Sequence, residues 1–157
     1  MYPRLPNKDY VAGKGDTNRR AFKKLVTTGA MPGVLGYVDH EPVAWCAIAP
    51  REATPRLARS RVLEPVDDQP VWSVTCLFVS SKHRRRGLSV RMLEGAVAWA
   101  RKRGARIVEG YPVEPKSDHM PPAFAWWGTT SAFDRAGFTE VARRSETRPI
   151  MRRRVRP

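Results

Sequence analysis

Apolar residues along this chain alternate with polar ones in some stretches and recur every three to four residues in others, so strands and helices can be separated by period alone. Gly33-Val-Leu-Gly-Tyr-Val38 and Val43-Ala-Trp-Cys-Ala-Ile-Ala49 read as the strands of a β-hairpin around Asp39-His-Glu-Pro42, with Pro42 at the turn or a strand edge. Val71-Trp-Ser-Val-Thr-Cys-Leu-Phe-Val79 is a mostly apolar run of strand length and predicts a buried strand. Leu88 to Arg103 then places Met92, Leu93, Ala96, Val97 and Ala100 on one helical face, with Gly104 as the stop. Arg106 to Tyr111 predicts a strand returning parallel to Val71–Val79 through a right-handed crossover.

Flanking this centre, Asp16 to Gly29 predicts the first helix, N-capped by Asp16, with Phe22, Leu25 and Val26 on its apolar side. Thr129 to Ala136 predicts the last helix, and Phe138–Arg144 with Pro149–Val155 a terminal hairpin. Pro50 to Pro70 is an arginine-rich loop with one helical turn. Pro112 to Gly128 is a long connection carrying Pro121-Pro122 and Trp126-Trp127, which either covers a substrate or closes the core. No repeat or low-complexity segment interrupts the pattern.

At 157 residues the chain fits one domain over 1–157. No apolar run reaches the length of a membrane span, and the first residues lack the apolar stretch of a signal peptide, so a cytoplasmic protein without membrane partners is expected. Cys46 and Cys76 fall in predicted strands without metal-ligand spacing, which points to buried thiols and no metal. Lys and Arg number 29 against 15 Asp and Glu. The excess is scattered and has no aromatic RNA-binding strand motif beside it, so charge alone does not make nucleic acid a partner. An arginine-rich tail, Met151 to Pro157, reads as a strand end with solvated arginines.

One basic cluster does change the picture. Ser80-Ser-Lys-His-Arg84-Arg-Arg-Gly87-Leu-Ser89 joins the buried strand to the helix that follows. Free N–H groups at a helix start, the positive end of its dipole and a glycine that admits close approach together hold phosphate.

The spacing Arg84-x-x-Gly87-x-Ser89 after a strand, with Phe133-Asp-Arg-Ala-Gly137-Phe138 downstream, resembles the two signatures of the GNAT acetyltransferase superfamily. The likeness runs from about Gly33 to Val155. It implies a mixed α/β fold: a mostly antiparallel sheet with one splayed parallel strand pair, flanked by helices. It also implies an N-acetyltransferase that takes acetyl-CoA as co-substrate and a primary amine, on a small molecule or peptide, as acceptor. By this resemblance Leu77, Phe78 and Val79 pair with the pantetheine, and a backbone N–H there polarises the thioester. Arg84, Arg85, Arg86, Gly87, Leu88 and Ser89 take the pyrophosphate.

Two departures matter. Ser89 stands for the usual Gly or Ala and is small enough to serve. Phe133 stands where many members carry the tyrosine that protonates the departing thiolate; a phenyl ring has no proton to give but still packs against the coenzyme. Tyr111 or Ser131 is then the candidate donor, or the thiolate leaves unprotonated. Glu109 matches the position of a general base in some members, its other reading being a strand glutamate paired with an arginine. His40, Glu114, Asp118 and His119 are further candidates. A non-catalytic acyl-CoA-binding module is the alternative function. Arg56, Arg59 and Arg61 suit an anionic acceptor, and the terminal hairpin and edge strands suit a homodimer.

Overall fold

A computed structural model describes residues 4–115 and 125–156. The chain runs α1 (Asn7–Ala12), α2 (Asp16–Thr27), β1 (Gly33–Val38), β2 (Glu41–Pro50), a 3-10 turn (Arg51–Ala53), α3 (Pro55–Ala58) and β3 (Trp72–Val79). It continues through a second 3-10 turn (Ser81–His83), α4 (Leu88–Arg101), β4 (Ile107–Gly110), α5 (Thr130–Arg135), β5 (Thr139–Arg143) and β6 (Pro149–Arg154). The six strands form one mixed sheet in the order β1-β2-β3-β4-β6-β5. All neighbours are antiparallel except β3 and β4. This is the predicted architecture of a mostly antiparallel sheet with one parallel pair.

Local chemistry sets the boundaries. Asp39 and His40 both take positive φ, 49° and 67°, as a two-residue hairpin turn requires. Gly29 and Gly104, at φ 90° and 86°, stop the helices before them. Two expectations are corrected here. The helix from Asp16 is not the first, since α1 precedes it, and Asp16 is its first helical residue behind Gly15 rather than its cap. Short, ending in a glycine and burying no residue, α1 has no apolar period by which to announce itself.

The sheet separates two apolar clusters. On one face, α4 and α5 pack Met92, Leu93, Ala96, Val97 and Phe133 onto Val74, Leu77, Val79, Val108 and Met151. On the other, Tyr111, Trp127 and Ile150 meet Leu57 and Leu63 from the segment between β2 and β3. Neighbours Ile150 and Met151 fall in different clusters, as strand alternation demands. In β3 the register against β2 passes from Val74 to Cys76, which leaves Thr75 as an extra residue. That bulge lets Val74 before it and Leu77 and Val79 after it all face α4.

Candidate functional site

The parallel pairing of β3 with β4 extends only from Trp72–Val108 to Val74–Gly110. Past that point β3 continues to Val79 while the chain after Gly110 turns away, so the sheet opens into a fork. Ser80 donates its N–H to the Val43 carbonyl on the β2 side, and alternation turns the backbone of Leu77 and Val79 the other way, into the fork. The Leu77 N–H donates to the Trp126 carbonyl at 2.8 Å. The Val79 carbonyl accepts from Arg84 Nε at 3.1 Å, and the Val79 N–H has no partner among the described residues. Phe78 faces β2 with its backbone, opposite Trp45, so of the three predicted strand residues only Leu77 and Val79 present their backbone to the fork.

The fork leads to the basic turn. Arg85 and Gly87 take φ 60° and 74°, and Val90 and Arg91 both donate to the Gly87 carbonyl. The N–H groups of Leu88 and Ser89 at the start of α4 therefore have no acceptor among the described residues. Ser80 Oγ and His83 Nδ1, 2.9 Å apart, brace the turn from behind. A cavity of about 370 Å³ opens over it, lined by Val79, Arg84, Arg85, Gly87, Leu88 and Ser89 from this side. Thr129, Ser131 and Arg135 line it from α5. Arg86 is exposed and does not line it. Arg135, inside the second signature and two residues after Phe133, was not singled out in the sequence; the packing of α5 against α4 brings it to the rim of this cavity.

Phe133 closes the root of the fork. It is fully buried, and a Cβ on Gly110 would fall 2.0 Å from its ring. Gly128, at φ 85°, leaves room for it from the other side.

Glu109 and Tyr111 lie at the paired end of the two strands. Glu109 is opposite Ser73, on the paired side of the fork, and 0 % exposed. Its Oε1 accepts from Arg51 Nη1 at 3.0 Å and from the Tyr111 hydroxyl at 2.6 Å, and its Oε2 from Arg152 Nε at 2.7 Å. The Tyr111 hydroxyl also meets Ser73 Oγ at 2.8 Å and Arg51 Nη1 at 2.6 Å. Burial, reinforced by the Glu109 charge, pushes the Tyr111 phenol well above its ordinary pKa. With no exposed surface and a guanidinium on each oxygen, Glu109 matches the other reading of the sequence, a strand glutamate paired with arginine, although buried rather than solvated, and with Tyr111 it forms a buried brace. Arg152 extends that brace to Asp67 at 2.7 Å, so the tail arginines are not all solvated. Arg51 reaches the carbonyls of Leu57 and Leu63 and so holds the β2–β3 segment to it.

Of the remaining candidates, His40 sits exposed in the hairpin turn and Glu114 pairs with Arg143. Asp118 and His119 lie outside the described residues. Cys46 is buried, Cys76 half-buried, and both are free thiols. Among the described residues there is no cluster able to hold a metal ion, and no helix is long and apolar enough to cross a membrane.

A mixed sheet forked beside a basic helix start is the architecture of an acyl-CoA transferase fold. The chain belongs to the acetyltransferase (GNAT) family, whose model matches residues 3–120. Solved structures with this fold include the GNAT domain of S. lividans PAT, at 19 % identity and TM-score 0.51 over 78 % of this chain and 60 % of that one. A ribosomal-protein-alanine N-acetyltransferase from Brucella melitensis aligns at 12 % identity and TM-score 0.57 over 90 % and 80 %. The aminoglycoside acetyltransferase AAC(6')-Ib in complex with coenzyme A aligns at 13 % and 0.53 over 76 % and 64 %. The chain thus spans less than two thirds of the length of two of these three. No curated protein matches it in sequence.

Proposed function

We propose that this protein transfers an acetyl group from acetyl-CoA to a primary amine. The observation that carries the reading is the continuity of the fork, edged by Leu77 and Val79, with the basic cavity over the start of α4. The residues present fit the coenzyme: unpaired helix N–H groups, Arg84, Arg85 and Arg135 for pyrophosphate, and, for an amide-bearing chain, a strand edge with the Val79 N–H unpaired among the described residues. When bound, acetyl-CoA supplies the activated acyl carbon. The Leu77 N–H faces the fork as the donor for a thioester oxygen gaining charge, once the Trp126 carbonyl has released it. Gly110 and Phe133 fix the root of the fork and exclude water there. In the transfer, the amine nitrogen bonds to the acyl carbon, the carbon–sulfur bond breaks, the thiolate departs and the amine proton passes to solvent.

The second reading, an acyl-CoA-binding module without turnover, is favoured by one observation: the strand glutamate and tyrosine nearest the fork are sealed in the brace. Calorimetric titration with acetyl-CoA, followed by an amine screen for coenzyme A release, separates the two. Gly87→Glu weakens coenzyme binding by about 100-fold or more, since like-charge juxtaposition costs several kcal/mol. A folded protein that binds no acetyl-CoA overturns both readings; binding without turnover on any amine leaves the second.

A further inference from the structure

The face of the sheet opposite α4 is covered unevenly. Over β4 and β6 it is buried beneath Leu57, Leu63 and Trp127. Over β1, β2 and β3 it is only partly covered: Leu35 is 53 %, Tyr37 59 % and Phe78 51 % exposed. The register sets Leu35 against Trp45 and Trp45 against Phe78, so three strands contribute one continuous apolar row. Tyr37, Ala47 and Cys76 share the face. Charged residues are 28 % of the chain, yet none stands at these six positions. Above the row lies α2, which buries no residue of its own; its ring contact with the sheet is Phe22 edge-on to Trp45 at 6.1 Å.

This shelf adjoins the fork. Phe78 lies between Leu77 and Val79, the two residues whose backbone edges it. On the α4 side Leu77 and Val79 share a packed cluster with Met92, Leu93 and Phe133, and the cavity that opens there beside Val79 is the one assigned to the coenzyme. An acceptor therefore reaches the fork from the Phe78 side.

We propose that the shelf formed by Leu35, Trp45 and Phe78 binds the acceptor, and that the acceptor is a primary amine carried on an apolar or aromatic body. The inference rests on the acetyl-transfer reading and narrows its substrate. An apolar body removes the exposed ring surface of Phe78 from water and stacks on it, while leaving only one polar group to be desolvated at the fork. A polyamine has no counter-charge on the shelf and meets a protein of net charge +14.

The test measures equilibrium binding of 2-phenylethylamine, hexylamine and putrescine to the full chain saturated with coenzyme A, by ligand-observed NMR, and then turnover of each with acetyl-CoA. Phenylethylamine and hexylamine bind at least about tenfold more tightly than putrescine, the discrimination an apolar pocket supplies. Phe78→Ser lowers that affinity by a similar factor with coenzyme binding unchanged, and Leu35→Ser, further from the fork, lowers it less. Putrescine binding as well as phenylethylamine, or phenylethylamine affinity indifferent to Phe78→Ser, overturns the proposal. So does a concentration-dependent dimer that Phe78→Ser abolishes, without amine affinity, which assigns the shelf to self-association. Selective amine binding without turnover supports the shelf and favours the module that binds acyl-CoA without transferring.

Discussion

Strands β3 and β4 are joined at one end and apart at the other, and the two ends are built from opposite chemistry. The joined end holds a carboxylate, two guanidiniums and a phenol with no water around the glutamate. At the open end the backbone groups of Leu77 and Val79 are held by single hydrogen bonds only, the Leu77 N–H by the Trp126 carbonyl and the Val79 carbonyl by Arg84. Ionised groups attract strongly enough in a dry interior to tie distant segments together, but groups so tied cannot exchange partners during a reaction. A backbone amide in one neutral hydrogen bond changes partner at far smaller cost. Strength has gone to the closed end and availability to the open one.

Removing the centre of the brace breaks this contrast most sharply. Glu109→Ala leaves Arg51 and Arg152 facing each other in a buried space and costs about 3–5 kcal/mol, read from urea denaturation. Coenzyme affinity of the molecules that remain folded is unchanged. A loss of coenzyme affinity without a loss of stability would move Glu109 into the site.

At the root between the two ends, Gly110→Ala places a methyl group where the Phe133 ring lies and costs about 1–3 kcal/mol. Because the ring must shift into the fork, coenzyme affinity falls along with stability. A stable Gly110→Ala protein with normal affinity would show that the root does not shape the fork.

The smallest effect belongs to the exposed end of the brace. The Arg152 guanidinium holds the Asp67 carboxyl below its ordinary pKa. A lowered native value stabilises the fold above the unfolded value of about 4 and the gain is lost as pH falls through the native one. Asp67→Asn therefore shifts the urea midpoint at pH 7 less than Gly110→Ala does, and removes part of the acid-side loss of stability. Added salt shrinks its effect, but not that of Glu109→Ala.

The same contrast explains what the sequence could tell. The basic turn was legible because its parts, Arg84, Gly87 and Ser89, lie within six consecutive residues and a glycine marks the positive φ. The strands were legible from their period, and even the hairpin turn from its composition. The brace was not: Arg51 is 58 residues from Glu109 and Arg152 is 43, distances over which no local pattern runs. Glu109 looked like a base because a strand position fixes a face and not what covers it. The shelf stayed hidden for the same reason, since Leu35, Trp45 and Phe78 meet only through register.

The hydrogen bond from Leu77 to the Trp126 carbonyl has a kinetic meaning as well as a geometric one. A ligand that takes this N–H competes with the Trp126 carbonyl, so only the fraction of molecules in which that bond is broken binds it. Measured affinity then equals the intrinsic affinity scaled by the open fraction. When opening is slow, the observed binding rate levels off with coenzyme concentration instead of rising without limit, and the tryptophan beside that carbonyl supplies a fluorescence signal with which to watch it.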